Sequence, residues 1–204
     1  MILYDAIDYI YHLPQSAQSF CDNPAHKALE GYTAIVDDTF IIVFSGSNTL
    51  EDYKVNCNFF PKRIHEAFAH GGYVTHYLQV HTTLLKRFRQ SNCSSMQLIG
   101  YSMGASVTSI CAYMMHFENI TTHTIAFEPL RVGALFFKRK TQQLDIVHTT
   151  YGNDIVTKLL RCFGYKHAGK EIHLGGKKHW WKYSIKDHPL ENIASELLYV
   201  KEGI

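Results

Sequence analysis

Apolar residues change period several times along this chain, and each change marks an element. Over residues 2–11, Leu3, Ile7, Ile10 and Tyr11 recur at helical spacing, and Pro14 ends the helix they predict. Gly31–Val36 and Thr39–Phe44 are rich in β-branched and aromatic residues and flank Asp37-Asp38, which reads as a hairpin. From about His65 to Arg89 the apolar residues Phe68, Tyr73, Tyr77, Val80, Leu84, Leu85 and Phe88 return to helical spacing, interrupted or kinked at Gly71-Gly72. The apolar run from Met96 to Ile99 predicts a strand, and the small-residue-rich stretch 105–117 predicts a helix close behind it. Thr122–Phe127 and residues 144–149 are further strand candidates, residues 171–174 a weaker one, and residues 190–199 a closing helix. Strands separated by helices after one early hairpin predict an α/β fold with a mixed, mostly parallel central sheet flanked by helices.

Composition narrows that picture to one domain. The 204 residues are 46% hydrophobic and 13% aromatic, ample for a single large core, and neither a repeat nor a low-complexity linker divides residues 1–204. A net charge of +2 is too balanced to argue for nucleic acid as a partner. Cysteines 21, 57, 93, 111 and 162 are widely spaced, with no Cys-x-x-Cys pair and no zinc-type ligand grouping, so reduced thiols and no metal are expected. The first residues carry Asp5 and Asp8 without a basic segment, and no apolar run approaches membrane-spanning length, which leads us to expect a cytoplasmic location.

Chemistry enters at Gly100-Tyr101-Ser102-Met103-Gly104, which sits between the predicted strand and helix. A serine on a sharp strand-to-helix turn needs glycines two positions on either side so that strand and helix can approach without Cβ clashes. Such a turn exposes the serine Oγ and aims the next backbone N–H, here that of Met103, at whatever the serine attacks. The serine is a poor nucleophile until a histidine takes its proton, and that histidine needs an orienting acid. In architectures built on this turn the chain order is serine, acid, histidine.

Four histidines lie beyond the later strands: His167, His173, His179 and His188. His173 falls in an alternating run, and His179 lies among lysines that oppose an imidazolium. His188 stands in the turn Asp187-His188-Pro189 before the last helix, where a loop carries a base to the sheet edge. Asp154, in Tyr151-Gly152-Asn153-Asp154 after a predicted strand, is the candidate acid, a simple turn cap being the other reading. Asp145 lies at the wrong end of that strand, and Asp187 adjoins His188 too closely in sequence to face it. Ser47, in the loop after Phe44, is the candidate second oxyanion donor beside Met103, with an ordinary Ser/Gly turn as the alternative.

These segments together resemble the class 3 lipase family, the fungal-type triacylglycerol lipases and their plant phospholipase A1 relatives. Ile42-Val43-Phe44-Ser45-Gly46-Ser47 is similar to the family's strand-to-oxyanion loop, and Ile64-His65-Glu66-Ala67-Phe68 to its Val-His-x-Gly-Phe segment. Pro129-Leu130-Arg131-Val132-Gly133 resembles Pro-Arg-Val-Gly, and Asn153-Asp154-Ile155-Val156 resembles the Asn-x-Asp-Ile-Val acid loop. Gly164-Tyr165-x-His167-x-Gly169-x-Glu171 also matches and puts His167 in a structural position. The resemblance implies an α/β-hydrolase fold, Ser102 as nucleophile, Asp154 as acid, His188 as base, Ser47 and Met103 in the oxyanion hole, and no cofactor. The chain departs from the family where Phe-Arg-Gly has become Phe44-Ser45-Gly46, where Leu130 intervenes before Arg131, and where Tyr101 and Met103 replace frequent histidine and leucine.

The expected substrate is a lipid or small ester, hydrolysed through an acyl-enzyme. Leu50, Tyr53, Phe59 and Phe60 mark a short amphipathic lid or, equally, core aromatics. Trp180 and Trp181 beside Lys177, Lys178 and Lys182 suit peripheral contact with an anionic membrane or form an exposed loop with two buried indoles. An acyltransferase or thioesterase using the same triad, and a catalytically silent binding protein, stand as alternatives.

Overall fold

The computed structural model describes residues 3–20, 30–46, 58–176 and 182–202. Helix α1 (Leu3–Tyr11) is followed by a short strand β1 (Gln18–Ser19) and the hairpin β2 (Gly31–Val36) and β3 (Thr39–Phe44). Asp37 and Asp38 both have positive φ, 46° and 61°, the conformation a two-residue hairpin turn requires to match strand twist. Strands β4 (Pro61–Ile64) and β5 (Ala67–His70) pair as a separate small hairpin ahead of α2 (Gly71–Ser91). Then come β6 (Ser95–Tyr101), α3 (Met103–Phe117), β7 (Thr122–Phe127), α4 (Leu135–Thr141), β8 (Ile146–Tyr151), β9 (Lys170–Leu174) and α5 (Leu190–Glu202).

The main sheet has the order β1-β2-β3-β6-β7-β8-β9. It is antiparallel across β1, β2 and β3, and parallel from β3 through β9. Alternation along each strand feeds two cores. Phe40, Ile42 and Phe44 of β3 join Met96 and Leu98 of β6 beneath α2, α3 and α4, where Tyr73, Tyr77, Leu84, Ile110 and Phe137 pack. Ile41, Val43, Ile99, Ile125 and Phe127 point to the opposite face and meet Ala6 and Ile7 of α1 with Leu190 and Ile193 of α5. Burial on both faces is the reason these strands read as nearly continuous apolar runs. Cys111 fills part of the first core, and burial pushes its thiol up to about 12, so it is inert packing.

The helix expected from about His65 begins at Gly71 instead. His70 Nδ1 accepts the Tyr73 amide at 3.4 Å and caps it, while Gly71 N–H donates to Phe60 O at 3.0 Å. A Cβ at Gly71 would lie 2.3 Å from that same Phe60 oxygen, so the glycine lets the hairpin close against the helix start. Phe68 thus belongs to a strand, and the helical run starts with Tyr73. Residues 144–149 mark the right strand shifted by two positions, and the weak candidate at 171–174 is the edge strand β9. Among the described residues no helix is long and apolar enough to cross a membrane.

Candidate active site

The carboxyl ends of β6 and β8 carry the groups that chemistry singled out. At the end of β6 the chain turns at Ser102 with φ 54° and ψ −120°, a left-sided conformation that costs a non-glycine residue on the order of 1–3 kcal/mol. The strain is held by the neighbours: Ser102 N–H donates to Phe127 O of β7 at 2.9 Å, and Ser106 N–H donates back to Ser102 O at 3.3 Å. Both flanking glycines are sterically required. A Cβ on Gly100 would lie 2.2 Å from Thr108 Oγ1, and one on Gly104 would lie 2.3 Å from both Phe44 O and Ser45 O. Met103 is the first residue of α3, directly after the serine, so its amide lacks an intrahelical acceptor.

Asp154 follows β8 after a tight bend at Gly152, whose φ is 51°. The segment 182–188 is sewn to this loop: Ser184 N–H donates to Asn153 O at 3.0 Å, and Ile155 N–H donates to Ser184 O at 3.1 Å. Asp187, discounted as a partner of His188, has another task, since its Oδ2 accepts the Asn153 amide at 2.7 Å. These bonds deliver His188 to the serine. Its Nε2 lies 2.9 Å from Ser102 Oγ, and its Nδ1 lies 2.7 Å from Asp154 Oδ2. An ionised carboxylate only accepts, so Nδ1 carries the proton and Nε2 is left to accept from the serine hydroxyl. The Asp154 side chain is fully buried and that of His188 only 16% exposed. Asp154 Oδ1 takes the Val156 amide at 2.8 Å, filling the carboxylate's other side.

Tyr101 adds a support that the sequence did not suggest. Its hydroxyl donates to His188 O at 3.0 Å and its ring stacks on the imidazole with centroids 5.4 Å apart. Burial raises the Tyr101 phenol well above its ordinary range, so it remains a donor. Glu128, directly after β7, was likewise missed; it is buried, and one of its oxygens lies with Asp154 and His188 in a group whose atoms are all within 4.8 Å. A metal bound there would have to displace the Asp154–His188 hydrogen bond, because both imidazole nitrogens already have partners.

The remaining residues fall elsewhere. His167 is half-buried and stacks on His148 at 4.9 Å; desolvation of the ring first, then the His148 charge, hold it down at about 3, so it is a neutral packing group. His173 of β9 bonds Thr150 Oγ1 and Gly176 O. Phe59 stacks on Phe60 and on Phe163, and Phe60 is 74% exposed, which makes this an apolar surface cluster. Ser47, Leu50, Tyr53, His179, Trp180 and Trp181 lie outside the described residues.

Residues 41–164 match the model of the family Lipase (class 3). Among solved structures, a triacylglycerol lipase from Penicillium expansum superposes with a TM-score of 0.69 at 14% identity, over 84% of this chain and 76% of that one. MDLA of Penicillium cyclopium, in a mutant form, gives 0.67 at 22% identity over 84% and 67%. The Rhizomucor miehei lipase in its propeptide complex gives 0.64 at 22% identity over 78% of this chain and 57% of that one. The present chain therefore spans little more than half to three quarters of these lipases, and at such identities the likeness is one of fold. No curated protein matches the sequence significantly. The family match contains Ser102 and Asp154 and stops short of His188, which reaches the serine through tertiary contacts alone. Since that match spans more than half of the sequence, the chain belongs to the class 3 lipase family.

Proposed function

We propose that this protein is a serine carboxylic-ester hydrolase acting on lipid esters, with Ser102 as nucleophile, His188 as base and Asp154 as orienting acid. The observation that carries the proposal is the continuous chain from Ser102 Oγ to His188 Nε2 at 2.9 Å and from His188 Nδ1 to Asp154 Oδ2 at 2.7 Å, mounted on a strained elbow. His188 takes the Ser102 proton as Oγ forms a bond to the ester carbonyl carbon. The carbonyl oxygen becomes an oxyanion, accepting a hydrogen bond from the Met103 amide and, by family resemblance, from Ser47. Buried Asp154 balances the imidazolium charge. The imidazolium gives its proton to the leaving alkoxide as the carbon–oxygen bond breaks, leaving an acyl-Ser102 ester. Water then attacks that ester, its proton passing to His188 and on to Ser102 Oγ as the acid departs.

An apolar substrate portion is supported by a groove of about 280 Å³ beside His188, lined by Ile10, Tyr11, Tyr101, Ile185 and Leu190. Ile185 is 70% exposed at its edge, so the groove opens to solvent and to an incoming chain. The test is labelling by a serine-reactive fluorophosphonate together with hydrolysis of an ester chain-length series. Wild type should label and hydrolyse, and Ser102→Ala should lose the label and at least ~10⁴-fold in kcat. Retained hydrolysis in that variant would reject the nucleophile assignment.

A further inference from the structure

Glu128 is a fully buried acid that the steps above do not use. Its backbone has a φ of 49°, strained for a non-glycine residue, and its amide donates to Thr149 O of β8 at 2.8 Å. This turn at the end of β7 directs the side chain under the β8 loop. Oε1 accepts the Tyr151 amide at 2.6 Å. Oε2 receives no donor from any described residue, and the Glu128 carboxyl lies within 4.8 Å of the Asp154 carboxyl.

Two buried carboxyl groups this close share one proton, because two adjacent anions without solvent repel strongly. The bonding pattern decides which group holds it. Asp154 has two donors, the Val156 amide on Oδ1 and His188 on Oδ2, both acting on the charged form. Glu128 has one, the Tyr151 amide. The other ionisable groups facing it are Asp187, whose negative charge further disfavours a Glu128 anion, and the neutral Tyr101 phenol. Burial first, then the Asp154 contact, push Glu128 up to about 10.

We propose that Glu128 is a neutral carboxylic acid that donates from Oε2 to the Asp154 carboxylate, and that it is a positioning residue holding Asp154 in line with His188. With Glu128 neutral, the imidazolium faces one balancing anion in the Asp154–Glu128 pair and stays free to pass its proton on. A second anion there would bind the imidazolium more tightly and slow that transfer. The kinetic part of this inference rests on the proposed roles of Ser102, His188 and Asp154, whereas the location of the proton does not.

Two measurements on the whole chain test it. Infrared difference spectra at pH 7 between wild type and Glu128→Gln should contain one protonated-carboxyl band that only wild type contributes; its absence would overturn the proposal, whether or not the protein hydrolyses esters. In the kinetics, Glu128→Gln keeps a neutral donor, so kcat and the acid limb of the kcat/KM profile should match wild type within about twofold. An acid limb moved to lower pH in that variant would mean that Glu128 had been an anion. Glu128→Leu, which removes the donor, should lose about tenfold in kcat with KM little changed. Unchanged kcat in a folded Leu variant would reject the positioning role, and the infrared band and the Gln profile decide the question if that variant does not fold. Loss of hydrolysis in wild type with the band still present would reject the hydrolase assignment and leave the Glu128 proton standing.

Discussion

Among the described residues, two histidine–aspartate pairs stand at opposite ends of β7 and β8, and their contact distances are equal. His188 meets Asp154 at 2.7 Å beyond the carboxyl end of β8, while His123 of β7 meets Asp145, just before β8, also at 2.7 Å. Everything around them differs. The His123 and Asp145 side chains are 52% and 62% exposed, so water screens the pair to roughly 0.2–1 kcal/mol. The His188 and Asp154 side chains are 16% and 0% exposed, and a hydroxyl, an amide, a tyrosine and a second carboxyl group surround them. A histidine–aspartate contact is thus not a site by itself. It becomes a candidate one where a strained turn presents a serine hydroxyl and burial removes water from the charges.

The largest test of that contrast is Asp154→Asn, which replaces the acceptor at His188 Nδ1 with a group that can favour the wrong tautomer. Ester hydrolysis should fall by ~10⁴ in kcat; a loss below tenfold would put the buried pair on a level with the exposed one. Gly152→Ala tests how the buried pair is assembled. The new Cβ would lie 2.4 Å from Asp187 Oδ2 at a φ of 51°, so the 153–155 loop and the 182–188 segment should be pushed apart. A stability loss of about 1–3 kcal/mol by denaturant unfolding, with reduced activity, is expected; a melt and rate like wild type would mean that the Asp187–Asn153 link is dispensable.

A third test separates the two ends by pH. Glu128 keeps its proton in the folded protein up to about 10, whereas the unfolded chain releases it near 4.5. The folded state binds more protons between those values, so this group's contribution is full below 4.5 and is lost as pH rises toward 10. Glu128→Gln should therefore unfold at a higher temperature than wild type at pH 9, with the advantage shrinking toward pH 5. An equal difference at both pH values would contradict a buried proton. The smallest effect belongs to Asp145→Asn, which should leave kcat unchanged and shift stability by no more than about 0.5 kcal/mol. A measurable activity loss there would mean that the exposed pair matters to the site.

Much of this arrangement was legible in the chain. The elbow could be read because glycines at 100 and 104 answer a steric demand that is local, set by Thr108, Phe44 and Ser45. Asp154 was legible through Gly152-Asn153, which mark a bend after a strand. The start of α2 was misplaced because Phe68 precedes the apolar positions of the helix with no break other than Gly71-Gly72, and only the approach of Phe60 O to Gly71 settles where the helix begins. Glu128 gave one weak signal, a lone acid between the apolar strand 122–127 and Pro129, and nothing near it in sequence names its partner.

The sequence by itself determined the α/β architecture, the family and the turn that exposes Ser102, because period, turn chemistry and glycine placement act over a few residues. Tertiary structure alone decided which of two equally close histidine–aspartate pairs lies against the serine. It also set the proton on Glu128. Those outcomes depend on β7 lying beside β8 and on a segment 34 residues away closing over Asp154. Burial and the count of hydrogen-bond donors around each charge are properties of that packing, and no local pattern in the chain encodes them.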